Sequence, residues 1–222
     1  MLVLTNCVGF GVKTLPEFEV LAMASQANTD TPTFSVDLGQ ATKDRVIVVA
    51  FAMHDDDVSD GFTVTATLDG DAMTELEDAG HFDGANTTVA ASLYMIQTDK
   101  GGTLDIVATA AGFTGTIDTT SIVVYGLRGF NPTATDSASS IPSTAGGDDL
   151  DLDTSAGDIA FISGIDLTAS PGALSGGGNP ITIVQGSEWS HGYDRSPLGG
   201  ATDTYDFSGD TEVIVGAVFA RL

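Results

Sequence analysis

Two clusters of aspartates have the clearest potential for chemistry in this sequence. Carboxylate oxygens are ligands that Ca²⁺ prefers, and each cluster places several of them close together along the chain. The candidate calcium ligands are Asp55 and Asp57 in the first cluster and Asp149, Asp151 and Asp153 in the second. The alternative for either cluster is a solvated acidic surface that keeps the protein soluble without binding an ion. Apart from this candidate calcium, the sequence predicts no cofactor.

The spacing of the second cluster predicts that its carboxylates share one face of a strand. Side chains alternate across a strand, so Asp149, Asp151 and Asp153 point one way while Leu150 and Leu152 point the other. Carboxylates aligned in this way repel each other unless water or a bound cation lies between them. The second cluster therefore predicts either a cation site or a hydrated strand face.

One aromatic pair could recognise a ligand. Trp189 is the single tryptophan, and Tyr193 follows it in a polar stretch that also contains His191 and Arg195. If exposed, Trp189 and Tyr193 would form a platform that stacks on a sugar ring or anchors a protein contact. The alternative is that Trp189 fills the core and Tyr193 lies at its rim.

The sequence gives no catalytic signature, and we expect that the protein is not an enzyme. The three histidines lie far apart without metal-ligand spacing and are predicted to be loop residues. They are His54, His81 and His191. A pair of glutamates about 5 to 10 Å apart could in principle hydrolyse a glycosidic bond. The candidates for such a pair are Glu75, Glu77 and Glu188.

The elements that must position these residues are strands. Residues 46–53 are all apolar and rich in β-branched side chains, which is typical of a central strand buried on both faces. Residues 62–68 alternate between apolar side chains and threonines, a pattern that predicts one buried and one exposed face. Asp69-Gly70 is a two-residue hairpin signal, so we expect the chain to return along residues 72–76.

About a dozen such strands are predicted, with essentially no long helix. Residues 88–96 and 104–109 are expected to form an antiparallel pair, and residues 131–147 and 171–180 are expected to be loops. Two packed antiparallel sheets, forming a β-sandwich, are the simplest all-β arrangement for these strands.

The composition excludes several classes of partner. Thirty-one acidic against seven basic residues give a formal charge of −24, so phosphates would be repelled and binding to nucleic acid is not expected. No apolar run approaches the roughly 20 residues that a membrane helix needs, and no signal peptide is expected. The single cysteine, Cys7, excludes an internal disulfide.

Three segments in order resemble a known group of proteins. They are Thr33-Phe34-Ser35 followed by residues 44–50, residues 64–76 around Asp69-Gly70, and residues 123–127 followed by Asn131-Pro132 and Asp136. Together they resemble the jelly-roll β-sandwich proteins of tailed bacteriophages, prophages and gene-transfer particles. The resemblance covers residues 33–222 as a single domain. Residues 1–32 are then expected to be an N-terminal strand or arm that packs on the domain or extends it.

The resemblance implies a function and a location. Such domains serve as head decoration, head-spike or tail-fibre components, so we expect a non-enzymatic virion protein that decorates or cements a capsid from outside. Its partners would be the major capsid protein or other virion proteins, with homo-oligomers or symmetry-repeated copies assembled in the host cytoplasm. The sequence is also similar in style to concanavalin-like sandwiches, which implies the alternative of a glycan-binding receptor module at a tail fibre or head spike.

Overall fold

The computed structural model is built from antiparallel strands. It describes residues 17–56, 63–82, 84, 87–111, 116–141, 149–166, 174–177, 180–185, 189–195, 202–207 and 212–222. Within these residues there are 17 strands and no helix. The first nine strands are β1 (Glu17–Ala27), β2 (Thr33–Asp37), β3 (Arg45–Asp55), β4 (Thr63–Leu68), β5 (Asp71–Ala72), β6 (Thr74–Phe82), β7 (Thr88–Thr98), β8 (Thr103–Ala111) and β9 (Thr119–Arg128). The others are β10 (Asp136–Ser140), β11 (Leu150–Leu152), β12 (Ile159–Asp166), β13 (Leu174–Gly176), β14 (Pro180–Gln185), β15 (Trp189–Asp194), β16 (Asp203–Phe207) and β17 (Glu212–Phe219).

These strands form four sheets, which we number in their packing order. Sheet I has the order β2-β8-β4-β5 and sheet II the order β1-β9-β3-β7-β6. Sheet III has the order β10-β17-β12-β15-β14 and sheet IV the order β11-β16-β13. The all-β, antiparallel prediction is confirmed, and the sheets pack face to face as in a β-sandwich. The prediction of two sheets is wrong, since the described residues form four.

Strand β3 shows why more than two layers form. Its odd-numbered residues, including Val49 and Phe51, join a core shared with sheet I, whereas its even-numbered residues, including Val48 and Ala50, join a core shared with sheet III. A strand that is apolar on both faces can be buried only between two other layers. The central position predicted for residues 46–53 is therefore confirmed, because β3 lies between β9 and β7 in the middle of sheet II.

Sheet III repeats this pattern one layer further on. Phe161 and Ile165 of β12 pack toward sheet II, while Ala160 and Ile162 pack toward sheet IV. The outer sheets instead alternate, as β4 does with buried Val64, Ala66 and Leu68 between more exposed threonines. Since packed sheets lie about 10 Å apart, the four layers span roughly 30 Å between the outermost backbones.

The predicted hairpin at Asp69-Gly70 is correct only at its turn. Both residues have positive φ, 51° and 83°, as a type I′ turn requires, and Leu68 pairs with Asp71. The returning strand ends after two residues, and the chain then leaves sheet I to pair as β6 with β7 in sheet II. A bulge between Glu75 and Glu77 accompanies this second pairing.

The predicted antiparallel pair of residues 88–96 and 104–109 is wrong. Strand β7 pairs with β3 and β6 in sheet II, whereas β8 pairs with β2 and β4 in sheet I. The corner between β7 and β8, residues 99–102, is held beside the segment before β3. The buried Arg45 guanidinium donates hydrogen bonds to the carbonyls of both Leu38 and Lys100. Burial lowers the pKa of Arg45, and Arg128 lowers it further. This corner makes the chain change layers where a hairpin was expected.

The two predicted loops also contain strands. Residues 136–140 form β10, which pairs with β17 at the edge of sheet III, and residues 174–176 form β13, which pairs with β16 in sheet IV. Neither strand has the apolar pattern that sequence analysis relies on. At the other end of the described chain, β1 pairs with β9 at the edge of sheet II, which places part of the predicted N-terminal arm there.

Candidate functional sites

The first aspartate cluster differs from the predicted ligand set. Asp55 ends β3 and is 1% exposed, while Asp57 lies outside the described residues. The side chains that converge are instead His54, Asp56 and Asp118, each with one potential ligand atom within 4.8 Å of the others. The Asp56 backbone N–H donates to the Asp118 carboxylate at 2.9 Å, and His54 Nε2 lies 3.4 Å from Asp56 Oδ1.

This grouping was not predicted because its members come from two segments that are distant along the chain, the end of β3 and the start of β9. His54 pairs with Thr119 across β3 and β9, which brings Asp118 to the end of β3 although it is distant along the chain. An imidazole and two carboxylates are a donor set that divalent transition metals accept. The signal that could have found Asp118 is the antiparallel pairing of two apolar strands, one followed by acidic residues and the other preceded by one.

The second aspartate cluster lies on the outer face of sheet IV. Leu150 and Leu152 are buried and Asp149, Asp151 and Asp153 are exposed, as the alternation predicts. Threonine hydroxyls of the neighbouring chain segment donate to these carboxylates. Thr204 Oγ1 donates to Asp151 at 2.6 Å and Thr202 Oγ1 donates to Asp153 at 2.9 Å.

Strand geometry limits what this second cluster can bind. Alternate residues of a strand lie about 7 Å apart, so the first and third carboxylates of the row are about 13 Å apart. Calcium ligands lie about 2.3–2.6 Å from the ion, so any two of them are within about 5 Å of each other. A single ion can therefore be shared by two neighbours such as Asp151 and Asp153, but not by all three aspartates.

The aromatic pair does not form one exposed platform. Trp189 and Tyr193 are both partly buried and pack against the core between sheets II and III. They lie four residues apart along β15, or about 13 Å. The Tyr193 ring instead contacts Phe18, with ring centroids 4.4 Å apart. The stacking surface near Tyr193 therefore involves β1, a strand that the sequence did not connect with it.

A buried polar network joins sheets II and III around His191. All three histidines were predicted to lie in loops, but His54, His81 and His191 lie on β3, β6 and β15. His191 has no exposed surface, and its Nε2 and Nδ1 atoms lie 2.8 Å from Ser121 Oγ and 2.9 Å from Ser163 Oγ. Ser163 also donates its hydroxyl proton to the Phe51 carbonyl at 3.0 Å.

These bonds fix the tautomer of His191. Because Ser163 uses its proton on Phe51, the Nδ1 atom of His191 must carry the proton and donate it to Ser163 Oγ. The Nε2 atom is then the acceptor for the hydroxyl of Ser121. Burial without a charged partner lowers the pKa of His191 to about 3, so the ring is neutral at ordinary pH.

The arrangement of Ser121, His191 and Ser163 is suited to holding two layers together. A serine and a histidine at this distance can serve nucleophilic catalysis only where substrate reaches the hydroxyl. Here both serines are buried with the imidazole between the sheets. Of the proposed glycosidase carboxylates, Glu77 accepts a hydrogen bond from Ser139, a Glu75 oxygen lies 3.1 Å from the Tyr94 hydroxyl oxygen, and Glu188 lies outside the described residues.

In comparisons with models of protein families and with curated proteins, the sequence matches none of them. The resemblance to phage proteins therefore stays a prediction. Within the described part of the chain, no helix has the length and apolar character needed to cross a membrane.

Proposed function

We propose that this chain is a non-enzymatic structural protein of a phage or phage-like particle. It binds the outside of the capsid as a decoration or cement protein, and its sandwich is of the jelly-roll type. The observation that carries this proposal is the role of Ser121, Ser163 and His191, which form hydrogen bonds between sheets II and III. The side chains best suited to catalysis are buried in a bond network that ties one sheet to the next.

Similar buried bonds at the other layer interfaces support a rigid structural role. Tyr94 of sheet II donates to the Val64 carbonyl of sheet I, and Tyr205 of sheet IV donates to Asp194 of sheet III at 3.2 Å. Buried hydrogen bonds of this kind fix the position of one sheet on another, because breaking one leaves a polar group unsatisfied in the core. A stack fixed at every interface presents a stable surface to a partner.

Binding in many symmetry-related copies and the strong negative charge of the chain both favour attachment to a particle. A protein present in many symmetry-related copies can bind through small interfaces, because the contacts of linked copies add through multivalency. A chain with a charge of −24 is also drawn toward a basic protein surface. Association driven by this attraction becomes slower as salt rises, since screening shortens its range.

Reconstitution tests the proposal. Purified protein is mixed with particles assembled without it, and bound protein is measured after sedimentation across a series of salt concentrations. We expect saturable binding that becomes slower to form as salt increases. Failure to bind such particles at every salt concentration would contradict the proposal.

A further inference from the structure

A cavity of about 270 Å³ lies where five parts of the chain meet. Its walls include Phe18 of β1, Phe130 after β9, Asp158 before β12, Arg195 after β15 and Arg221 near the C-terminus. Small-ligand sites combine aromatic walls with a few polar groups and begin at about 300 Å³. At about 270 Å³ this cavity lies just below that range, so it suits one small group such as a single sugar ring.

Two positive charges in this cavity are unusual for so acidic a chain. The whole sequence has seven lysines and arginines, and two of them, Arg195 and Arg221, line this one cavity. Other basic side chains are engaged elsewhere, since Arg128 pairs with Glu17 and Lys100 pairs with Asp69 and Asp71. Neither Arg195 nor Arg221 forms an ion pair with a residue that the structure describes. Both arginines are exposed, so an anion from outside can reach them.

The position of Arg195 is set by an aromatic cluster. Its Cζ atom lies 5.5 Å from the centroid of the Phe18 ring, a cation–π arrangement. Phe18 is in turn held by Tyr193, Tyr125 and Phe161, with ring centroids at 4.4, 5.9 and 6.1 Å. A guanidinium beside an aromatic ring keeps N–H donors that can bind an anionic oxygen, and Arg195 is exposed.

The backbone around Arg221 is fixed as well. Arg221 forms an antiparallel bridge with Phe130, the Leu222 N–H donates to Gly129 O at 3.0 Å, and the Asn131 N–H donates to Ala220 O at 2.8 Å. These bonds hold the C-terminal segment beside the cavity. The second arginine is thus attached to a fixed strand end, which reduces the entropy lost when it binds a ligand.

Asp158 supplies an acceptor at the same cavity. It is buried, and its carboxylate accepts the Ser155 N–H at 2.9 Å while its own N–H donates to Ser155 O at 3.0 Å. A carboxylate fixed in this way can accept hydrogen bonds from hydroxyl groups, but it repels a doubly charged phosphate. The cavity therefore favours a singly charged ligand that also carries hydroxyls.

We propose that this cavity binds an acidic sugar, a hydroxylated ring bearing one carboxylate. The carboxylate would bind the guanidinium groups of Arg195 and Arg221, and the hydroxyls would donate to Asp158. The apolar face of the ring would lie against the Phe18 and Phe130 side of the cavity. This site does not depend on the proposed attachment to a particle.

The test is titration of the purified full chain with D-glucuronate, with D-glucose as the neutral counterpart and acetate as the anion without hydroxyls. Ligand-observed NMR at low salt detects weak binding and limits screening of the charges. We expect saturable binding of glucuronate that is tighter than that of glucose and of acetate. Equal affinity for glucose, equal affinity for acetate, or no binding of glucuronate would each overturn the proposal.

Charge-removing variants locate the site. Arg195→Gln and Arg221→Gln should each weaken glucuronate binding roughly tenfold or more, the expected loss for a hydrogen bond to a charged group. Lys43→Gln is the matched control, because it removes the same charge from an exposed lysine that is not part of the cavity. Far-ultraviolet circular dichroism verifies that all three variants fold. Weakening by Lys43→Gln equal to that of the arginine variants would overturn the site assignment.

Discussion

At the scale of single residues, the chemistry of this protein depends on burial. His191 is part of a polar stretch that suggests a surface loop, yet in the fold it is a neutral ring between two serines. Sequence analysis could not have placed it, since the residues that surround it come from β3, β9 and β12. The sequence places Asp151 and Asp153 on an exposed strand face correctly because that prediction needs only local alternation.

The buried imidazole predicts a loss of stability at mildly acidic pH. The pKa of His191 is about 3 in the folded protein, against an ordinary value of 6.5. Below pH 6.5 this imidazole therefore becomes protonated in the unfolded chain but stays neutral in the folded chain. Its contribution to stability is complete above pH 6.5 and declines as the pH falls toward 3. From pH 7.5 to 5.5 the free energy of unfolding should fall by about 1.4 kcal/mol from this group alone.

Urea unfolding at pH 7.5 and 5.5 measures this effect. His191→Gln should remove the loss, although it lowers stability at both pH values, and His81→Gln on the partly buried part of β6 should retain it. Working above pH 5 keeps most carboxylates ionised, so that their titration does not obscure that of the histidine. An equal loss in the protein and in His191→Gln would show that another group is responsible.

At the scale of elements, the apolar pattern of a segment predicted its burial, but the sequence did not predict which strands pair with each other. Strand β3 was predicted correctly because eight consecutive apolar residues require burial on both faces. Strand β10 was missed because its sequence, Asp-Ser-Ala-Ser-Ser, has no apolar alternation and is held by pairing with β17. The number of sheets was missed because a turn does not reveal whether the chain stays in its sheet or crosses to the next.

The crossing from sheet II to sheet I can be tested at its corner. A Cβ atom added at Gly101 would lie 2.2 Å from the backbone nitrogen of Ala41, a clash that no side-chain movement can relieve. We expect Gly101→Ala to lower the free energy of unfolding by about 2–4 kcal/mol, as severe overpacking does.

The adjacent glycine is the matched control. A Cβ atom at Gly102 meets nothing within 4 Å, but the residue has a φ of 80°. Gly102→Ala should therefore cost only the backbone strain, about 1–2 kcal/mol. Denaturant unfolding of both variants measures the difference. A smaller loss for Gly101→Ala than for Gly102→Ala would contradict the close approach of this corner to Ala41.

At the scale of the whole molecule, the charge of −24 acts against the compact state. Folding brings 31 acidic side chains closer together in a compact chain, and their mutual repulsion is reduced when salt screens it. We expect the melting temperature to rise as sodium chloride is increased from about 0.02 to 0.5 M. A melting temperature that does not change with sodium chloride would contradict this electrostatic account.

Divalent cations separate general screening from a specific site. The informative result is that calcium or zinc at micromolar concentration raises the melting temperature when sodium at the same ionic strength does not. Such a result would show that one of the two acidic clusters binds the divalent cation. Asp56→Asn combined with Asp118→Asn would remove the effect if the His54 group is responsible. Asp151→Asn combined with Asp153→Asn would remove it if the outer face of sheet IV is responsible.

We propose that this protein is attached to the outside of a phage-like particle. Electron cryomicroscopy of particles reconstituted with the purified protein, compared with the same particles alone, tests it most directly. We predict additional density outside the shell, repeated by the symmetry of the particle and shaped to hold the stacked sheets. Identical maps with and without the protein, under conditions where the protein remains folded, would contradict the account.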